Sequence, residues 1–272
     1  MKTIVLAGGT GTRLGMITKA VNKQLLPIGG KPLICHVLDM AAQVSSEVLV
    51  ICNPEDMSSF AKLTEDYNTV NIFFRNQNHP DGIASAIALG EAFCQDEDVL
   101  VLLGDNIFSK DNTEHIIDTI KHVVPKPYRT YHRMFDTSGL KPTPVLTPQS
   151  PFRGAHVWTI KHESPENYGV LVVNDYEAEK VIEKPDPSLG AGDQAVVGCY
   201  LLDNRVWDLL PHLKKSARGE FEIADLLNMY AEDGMLNYSE LLAGGWYDIG
   251  ASTASYHKIA TLFQEKEVNE TK

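Results

Sequence analysis

Short runs of β-branched and aliphatic residues alternate with helix-length segments through the first half of the chain. Thr3 to Ala7 precedes an amphipathic stretch from Pro32 to Ala42, Val48 to Cys52 precedes Pro54 to Leu63, and Val70 to Phe74 precedes Ile83 to Phe93. Apolar runs without polar alternation fit strands covered on both faces, and each spacing leaves room for a crossover helix. The pattern predicts an α/β fold with a mostly parallel sheet flanked by helices. A further run, Val99 to Leu103, ends in Gly104-Asp105-Asn106. The second half is richer in strand signals, at Ala155 to Lys161, Gly169 to Val173, Lys180 to Ile182 and Ala195 to Leu202. Helices are expected near Arg205 to Leu210, Ile223 to Glu232 and Ser252 to Glu267.

One segment breaks this rhythm. Between Pro125 and Pro151 lie six prolines and four basic residues, Lys126, Arg129, Arg133 and Lys141, against one acid, Asp136. So many prolines oppose a core helix or strand, and an inserted loop at about 125–152 is expected, either a solvated excursion or a basic lid or subunit contact. Residues 1–272 otherwise read as a single domain, a size open α/β sheets commonly reach.

The most informative stretch follows the first strand. Val5 to Pro32, VLAGGTGTRLGMITKAVNKQLLPIGGKP, joins glycines to Arg13, Lys23 and Lys31. Glycines bring bare N–H groups close to anionic oxygens, while arginine supplies a planar fork and lysine a point charge, so a polyphosphate ligand is indicated. The dinucleotide fingerprint G-x-G-x-x-G fails because Leu14 stands where the third glycine belongs, and the second strand runs into Asn53 rather than an acid. A Walker A loop fails because Gly30-Lys31 is followed by Pro32. Ligands of open sheets sit beyond the carboxyl ends of the strands, so this loop and Asp105 open onto one edge.

Composition narrows the classes. A net charge of −12 opposes a nucleic-acid-binding surface, so cations must be gathered locally to hold phosphates. Cys35, Cys52, Cys94 and Cys199 are widely spaced and no leader pattern opens the chain, which reads as a cytoplasmic protein with reduced thiols. The nine histidines form no zinc pattern, and no apolar run has the length of a membrane span.

Asp105 and Asp248 stand in apolar, glycine-flanked settings suited to magnesium carboxylates, or equally to a turn cap and a helix cap. Glu183 and Lys184 end a strand before Pro185, where both could reach a ligand or simply face solvent. Nucleotidyl transfer would unite these groups. Its barrier is charge repulsion and alignment, and a phosphate nucleophile is already ionised, so no general base is needed.

LAGGTGTRL, NKQLLPIGGKP, PDG at Pro80 to Gly82, LGDNIF, EKP at Glu183 to Pro185 and SARGEFEIADL occur in order along the chain. Together they resemble the sugar-1-phosphate nucleotidylyltransferases, most nearly the glucose-1-phosphate thymidylyltransferases. The resemblance implies a Rossmann-like fold and transfer of a nucleotidyl group to a sugar 1-phosphate, giving a nucleotide sugar and pyrophosphate with Mg2+. The implied substrates are dTTP, with UTP as the alternative, and glucose 1-phosphate; sister enzymes use CTP, GTP or another sugar 1-phosphate, and a non-catalytic relative would bind nucleotide sugars. It assigns Gly8, Gly11, Thr12 and Arg13 to the triphosphate, Lys23 to the phosphates, and Gln24, Gln77 and Gly82 to the base. Asn106, Gly169, Glu183, Lys184, Val196 and Tyr200 fall to the sugar phosphate, with Lys184 on the attacking phosphate, and Asp105 and Asp248 to the metal. Arg13, Lys23 and Lys184 are the catalytic cations on this basis. The family also implies a homo-oligomer, although the chain has less sequence beyond Asp248 than the thymidylyltransferases devote to assembly and feedback.

Overall fold

A computed structural model of the chain describes residues 1–9, 11–65, 67–124, 129–130, 145–146 and 152–270. The strands that matter are β1 (Lys2–Ala7), β2 (Glu47–Cys52), β3 (Asn71–Asn76), β4 (Val99–Leu103), β5 (Asn106–Phe108), β6 (Ala155–Lys161), β7 (Gly169–Asn174), β8 (Glu177–Glu183), β9 (Gln194–Leu202), β10 (Leu236–Glu240) and β11 (Trp246–Asp248). The principal helices are α1 (Leu33–Ala41), α2 (Met57–Leu63), α3 (Ile83–Ala88), α4 (Lys110–Val123), α5 (Ile223–Glu232) and α6 (Thr253–Glu270).

These elements build the expected Rossmann-like α/β fold around a mixed, nine-stranded sheet in the order β8-β7-β9-β4-β1-β2-β3, with β6 on β9 and β10 on β6. Strands β4, β1, β2 and β3 are parallel neighbours. The antiparallel pairings enter through the second half, where β9 lies against β4, β6 and β7.

Strand alternation explains the two-sided core. Val5 and Ala7 of β1 and Val48 and Val50 of β2 face one layer with Ile34 and Leu38 of α1, Phe60 of α2 and Ile116 of α4. Ile4, Leu6, Leu49 and Ile51 face the other, against Ile87 of α3 and Leu226, Leu227 and Tyr230 of α5. A strand buried on both sides has no polar face to show, hence the continuous apolar runs.

Several elements differ from the sequence pattern. The stretch from Ile83 to Phe93 is two short helices, Ile83–Ala88 and Glu91–Cys94, divided at Gly90, which packs directly on Ile4. Helix α4 was not predicted: it is polar overall, and only Asn112, Ile116, Ile117 and Ile120 are buried along it. Its start is fixed by Ser109, whose hydroxyl accepts from the Asn112 N–H. Strands β5, β10 and β11 are also additions, because their runs are short and mixed in polarity. Of residues 125–151, only a ladder of Arg129–Thr130 with Val145–Leu146 is described; the expected lid or contact role of the insertion lies outside the described residues.

Candidate active site

The site is assembled at the carboxyl edge of the parallel strands. The chain leaves β1 into the glycine loop and leaves β4 through Gly104 to Asp105. The second acid arrives by a three-residue ladder in which Trp246, Tyr247 and Asp248 of β11 pair with Phe108, Ile107 and Asn106 of β5. Sequence spacing cannot reveal that pairing, which sets Asp248 beside Asp105.

A cavity of about 380 Å³ opens there. Gly8, Gly11, Thr12, Arg13, Lys23, Gln24, Gln77, Gly82, Asn106, Gly169, Glu183, Lys184, Val196 and Tyr200 all line it, together with Asp105 and Asp248. The site residues implied by the resemblance therefore face one space, whereas Lys31, grouped with Arg13 and Lys23 from the sequence, lies outside it and pairs with Asp39. Gly8 has a steric reason to lack a side chain, since a Cβ would lie 2.2 Å from Gln77 Oε1.

The two acids and Lys23 form the electrostatic centre. The Lys23 ammonium donates to Asp105 Oδ2, with both side chains largely buried. Burial alone would lower the lysine, but the charge and hydrogen bond of Asp105, reinforced by Asp248, hold it above its ordinary value. Burial would likewise raise Asp105, and Lys23 outweighs it, keeping that carboxylate low. Asp248 is pushed up to about 6 by burial and then by the charge of Asp105. Lys23 thus favours Asp105 over Asp248, and Arg13 adds a weaker positive influence on both Lys23 and Asp248.

The convergence is visible at Gly250. A Cβ there would lie 2.6 Å from Asp105 Oδ2, 3.1 Å from Lys23 Nζ and 3.3 Å from Asp248 Oδ1. Among the described residues no three His, Cys, Asp or Glu side chains gather to hold a metal by themselves. Two carboxylates beside the glycine loop could instead contribute to a magnesium site whose remaining oxygens come from a ligand.

Glu183 and Lys184 both reach the cavity despite being strand neighbours. Lys184 adopts φ +44°, a left-handed conformation rare for a residue with a side chain, and its N–H donates to Tyr168 O at 2.9 Å. The turn cancels the alternation that would send the pair to opposite faces. Their charges lie 3.5 Å apart, and burial raises the Glu183 carboxyl despite Lys184.

Two further residues belong to the site and were not found from sequence. The Trp246 indole N–H donates to Asn106 Oδ1 at 2.6 Å, Gly198 N–H donates to the same oxygen at 3.2 Å, and Asn106 Nδ2 donates to Asp105 Oδ1 at 2.9 Å. Asn106 is therefore partly committed to orienting the acid beside it. Tyr168 packs edge-on against Trp246, with centroids 4.9 Å apart, and its phenol is raised to about 12 by burial and then by the charge of Asp248. The signal for Trp246 was its place two residues before Asp248, on the same side of a strand.

A profile of the nucleotidyl transferase family matches residues 2–126 and 149–266. The chain belongs to that family. Residues 127–148, within the basic insertion, fall between the matched parts. The glucose-1-phosphate thymidylyltransferase of Neisseria meningitidis is 38% identical over 269 residues, 97% of this chain and 83% of that protein. The enzyme of the same name from Mycolicibacterium smegmatis is 32% identical over 254 residues, 92% of this chain and 78% of that protein. Among solved structures, a glucose-1-phosphate thymidylyltransferase candidate of Bacillus anthracis, crystallised with sucrose, is 32% identical. It superposes with a TM-score of 0.77 over 97% of this chain and 95% of that one. A UDP-glucose pyrophosphorylase complexed with UDP-glucose shares the fold at the same TM-score and 21% identity, over 97% and 98% of the two chains. Within the nucleotidyl transferase family this chain is thus an enzyme of the sugar-1-phosphate type, like the glucose-1-phosphate thymidylyltransferases. No helix among its described residues is long and apolar enough to cross a membrane.

Proposed function

We propose that the enzyme transfers a thymidylyl group from dTTP to glucose 1-phosphate, releasing pyrophosphate. The observation that carries this reading is the convergence of a cationic glycine loop, two carboxylates and Lys184 on one cavity. Arg13, exposed on the loop, and Lys23 draw charge from the triphosphate, and Lys184 holds the phosphate of the sugar. An oxygen of that phosphate attacks the α-phosphorus in line, the bond to the β-phosphate oxygen breaks, and pyrophosphate leaves with the electron pair. No proton moves, so the site needs cations and alignment rather than a base. Asp105 and Asp248 would hold magnesium, which, when bound, neutralises phosphate charge. Glu183, Gly169, Val196 and Tyr200 shape the space for the sugar.

Gln24 supports a base that carries an N–H where it meets the protein. The side chain is buried, and its Oε1 has no hydrogen-bond partner among the described residues. A buried acceptor without a donor is costly, and with the amide turned toward the cavity its oxygen would accept from the N3–H of thymine or uracil, whereas cytosine presents a lone pair there. UTP is thus the nearest rival to dTTP, and CTP is disfavoured.

The test is pyrophosphate release from dTTP, UTP, CTP, GTP and ATP against glucose 1-phosphate and several other sugar 1-phosphates, with and without magnesium. The expected result is magnesium-dependent release with dTTP and glucose 1-phosphate as the preferred pair. A clear preference for CTP, GTP or ATP would refute the assignment of the base, and equal rates without a divalent cation would refute that of the carboxylates.

A further inference from the structure

The glycine loop is held from behind by a residue outside the cavity, and we infer that Asp56 is a positioning residue for nucleotide binding. The inference rests on reading residues 8–24 as the triphosphate cradle.

The loop's own support is local: the Thr18 hydroxyl donates to Gly11 O at 2.8 Å and the Leu14 N–H to the same oxygen at 2.9 Å, which leaves its two ends to be fixed from outside. It turns through glycines of positive φ, 101° at Gly9 and 60° at Gly11, and its described residues form short helical pieces, Thr12–Leu14, Ile17–Ala20 and the start of Lys23–Leu25. Such a segment keeps its N–H groups aimed at a ligand only if neighbouring structure fixes its ends. Two asparagines do so. At the entrance, Asn53 Oδ1 accepts from the Gly9 N–H at 3.3 Å. At the exit, Asn22 Nδ2 donates to Ala7 O at 3.3 Å, and Asn22 Oδ1 accepts from the Gln24 N–H at 2.9 Å. Asn22 therefore ties the end of the loop both to the last residue of β1 and to the segment carrying Lys23 and Gln24.

Both asparagines converge on one atom. Asp56 Oδ2 accepts from Asn22 Nδ2 at 2.6 Å and from Asn53 Nδ2 at 3.0 Å. An ionised acceptor makes these bonds stronger than amide pairs and orients each side chain, because an amide whose N–H₂ is claimed by the carboxylate must point its oxygen elsewhere. Those oxygens are the ones that hold Gly9 and Gln24. Asp56 closes the turn after β2, Pro54–Asp56, with its own N–H on Asn53 O at 3.1 Å. It is half-buried, and it is not among the residues lining the cavity. A dinucleotide-binding chain would use an acid near this strand end to hold a ribose; here the acid three residues after Asn53 clasps the two ends of the phosphate loop instead.

Two readouts test this, one independent of nucleotide. In Asp56→Ala, hydrogen exchange of amides in residues 8–24 of the free enzyme should accelerate roughly tenfold, with the sheet core unchanged. The dissociation constant for dTTP should rise by about tenfold, from loss of charge-assisted hydrogen bonds. The KM for glucose 1-phosphate should hold, and kcat at saturating dTTP should fall less than affinity does. Asp56→Asn keeps an acceptor oxygen without the charge and should lie between wild type and Asp56→Ala in both readouts; it also serves if the alanine variant folds poorly. Exchange in residues 8–24 that matches wild type, or that rises equally throughout the protein, would overturn the inference. Faster exchange confined to the loop in a protein that binds no nucleoside triphosphate would keep the clamp and refute the nucleotide reading.

Discussion

Replacing Gly250 with alanine adds one methyl group at the point where the two acids and Lys23 meet. The backbone there is not left-handed, so alanine itself is tolerated and the perturbation is the methyl alone. It would stand 2.6 Å from Asp105 Oδ2, closer than carbon and oxygen approach in real side chains, and 3.1 Å from Lys23 Nζ. The other side of Asp105 is fixed, since Asn106 Nδ2 holds its Oδ1 at 2.9 Å. The carboxylate must therefore pivot away from Lys23. A charge-assisted hydrogen bond contributes about 1.5–3 kcal/mol, so weakening it and misplacing the acid should lower kcat/KM by roughly 10- to 100-fold. The magnesium concentration for half-maximal rate should rise as well. Pyrophosphate release measured against a magnesium titration reads both effects, and a melting curve separates them from unfolding. Wild-type kcat/KM and magnesium dependence in a folded Gly250→Ala enzyme would show that the three groups do not act together.

Other outcomes follow from the same geometry. On the proposed mechanism both groups meet charge in the transition state, so Asp105→Asn and Lys184→Ala should each lower turnover more than about tenfold in steady-state assays of a protein that a melting curve shows to be folded. Trp246→Phe keeps the ring against Tyr168 but removes the N–H bonded to Asn106; kcat should fall by roughly three- to tenfold with little change in the KM for dTTP, and an unchanged kcat would remove the indole from the positioning chain. Buried His156 is held down to about 4 by burial and then by the charge of His115. Its neutral form stabilises the fold fully above the unfolded value of about 6.5, and that contribution fades as pH falls through about 4. Urea unfolding should therefore show wild type losing about 1–2 kcal/mol more than His156→Gln between pH 7 and pH 5; parallel losses would place the histidine in a solvated setting.

The half of the fold built from local contrast was readable. Strands β1, β2 and β4 are apolar on both faces because helices cover both, and a strand of that kind announces itself as an unbroken run. Glycines beside Arg13 and Lys23 mark an anion cradle for an equally local reason. What escaped depended on distant partners. The ladder between β5 and β11 pairs Asn106 with Asp248 and brings the Trp246 indole onto the Asn106 side chain, 140 residues away in sequence, and neither strand is long enough to stand out. Helix α4 hides its buried residues in a polar stretch. The left-handed turn at Lys184 is invisible in a lysine, and Asp56 looks like any acid after a proline until Asn22 and Asn53 are seen against it.

The β5–β11 ladder also sets when the enzyme becomes an enzyme. A chain that ends before Asp248 carries Lys23 and Asp105 but only half of the acidic pair. Contacts of such long sequence separation form late, after the entropy of closing the intervening chain has been overcome. On the proposed reaction, catalytic competence should be withheld from fragments that end before β11, and the appearance of turnover during refolding should report closure of this ladder.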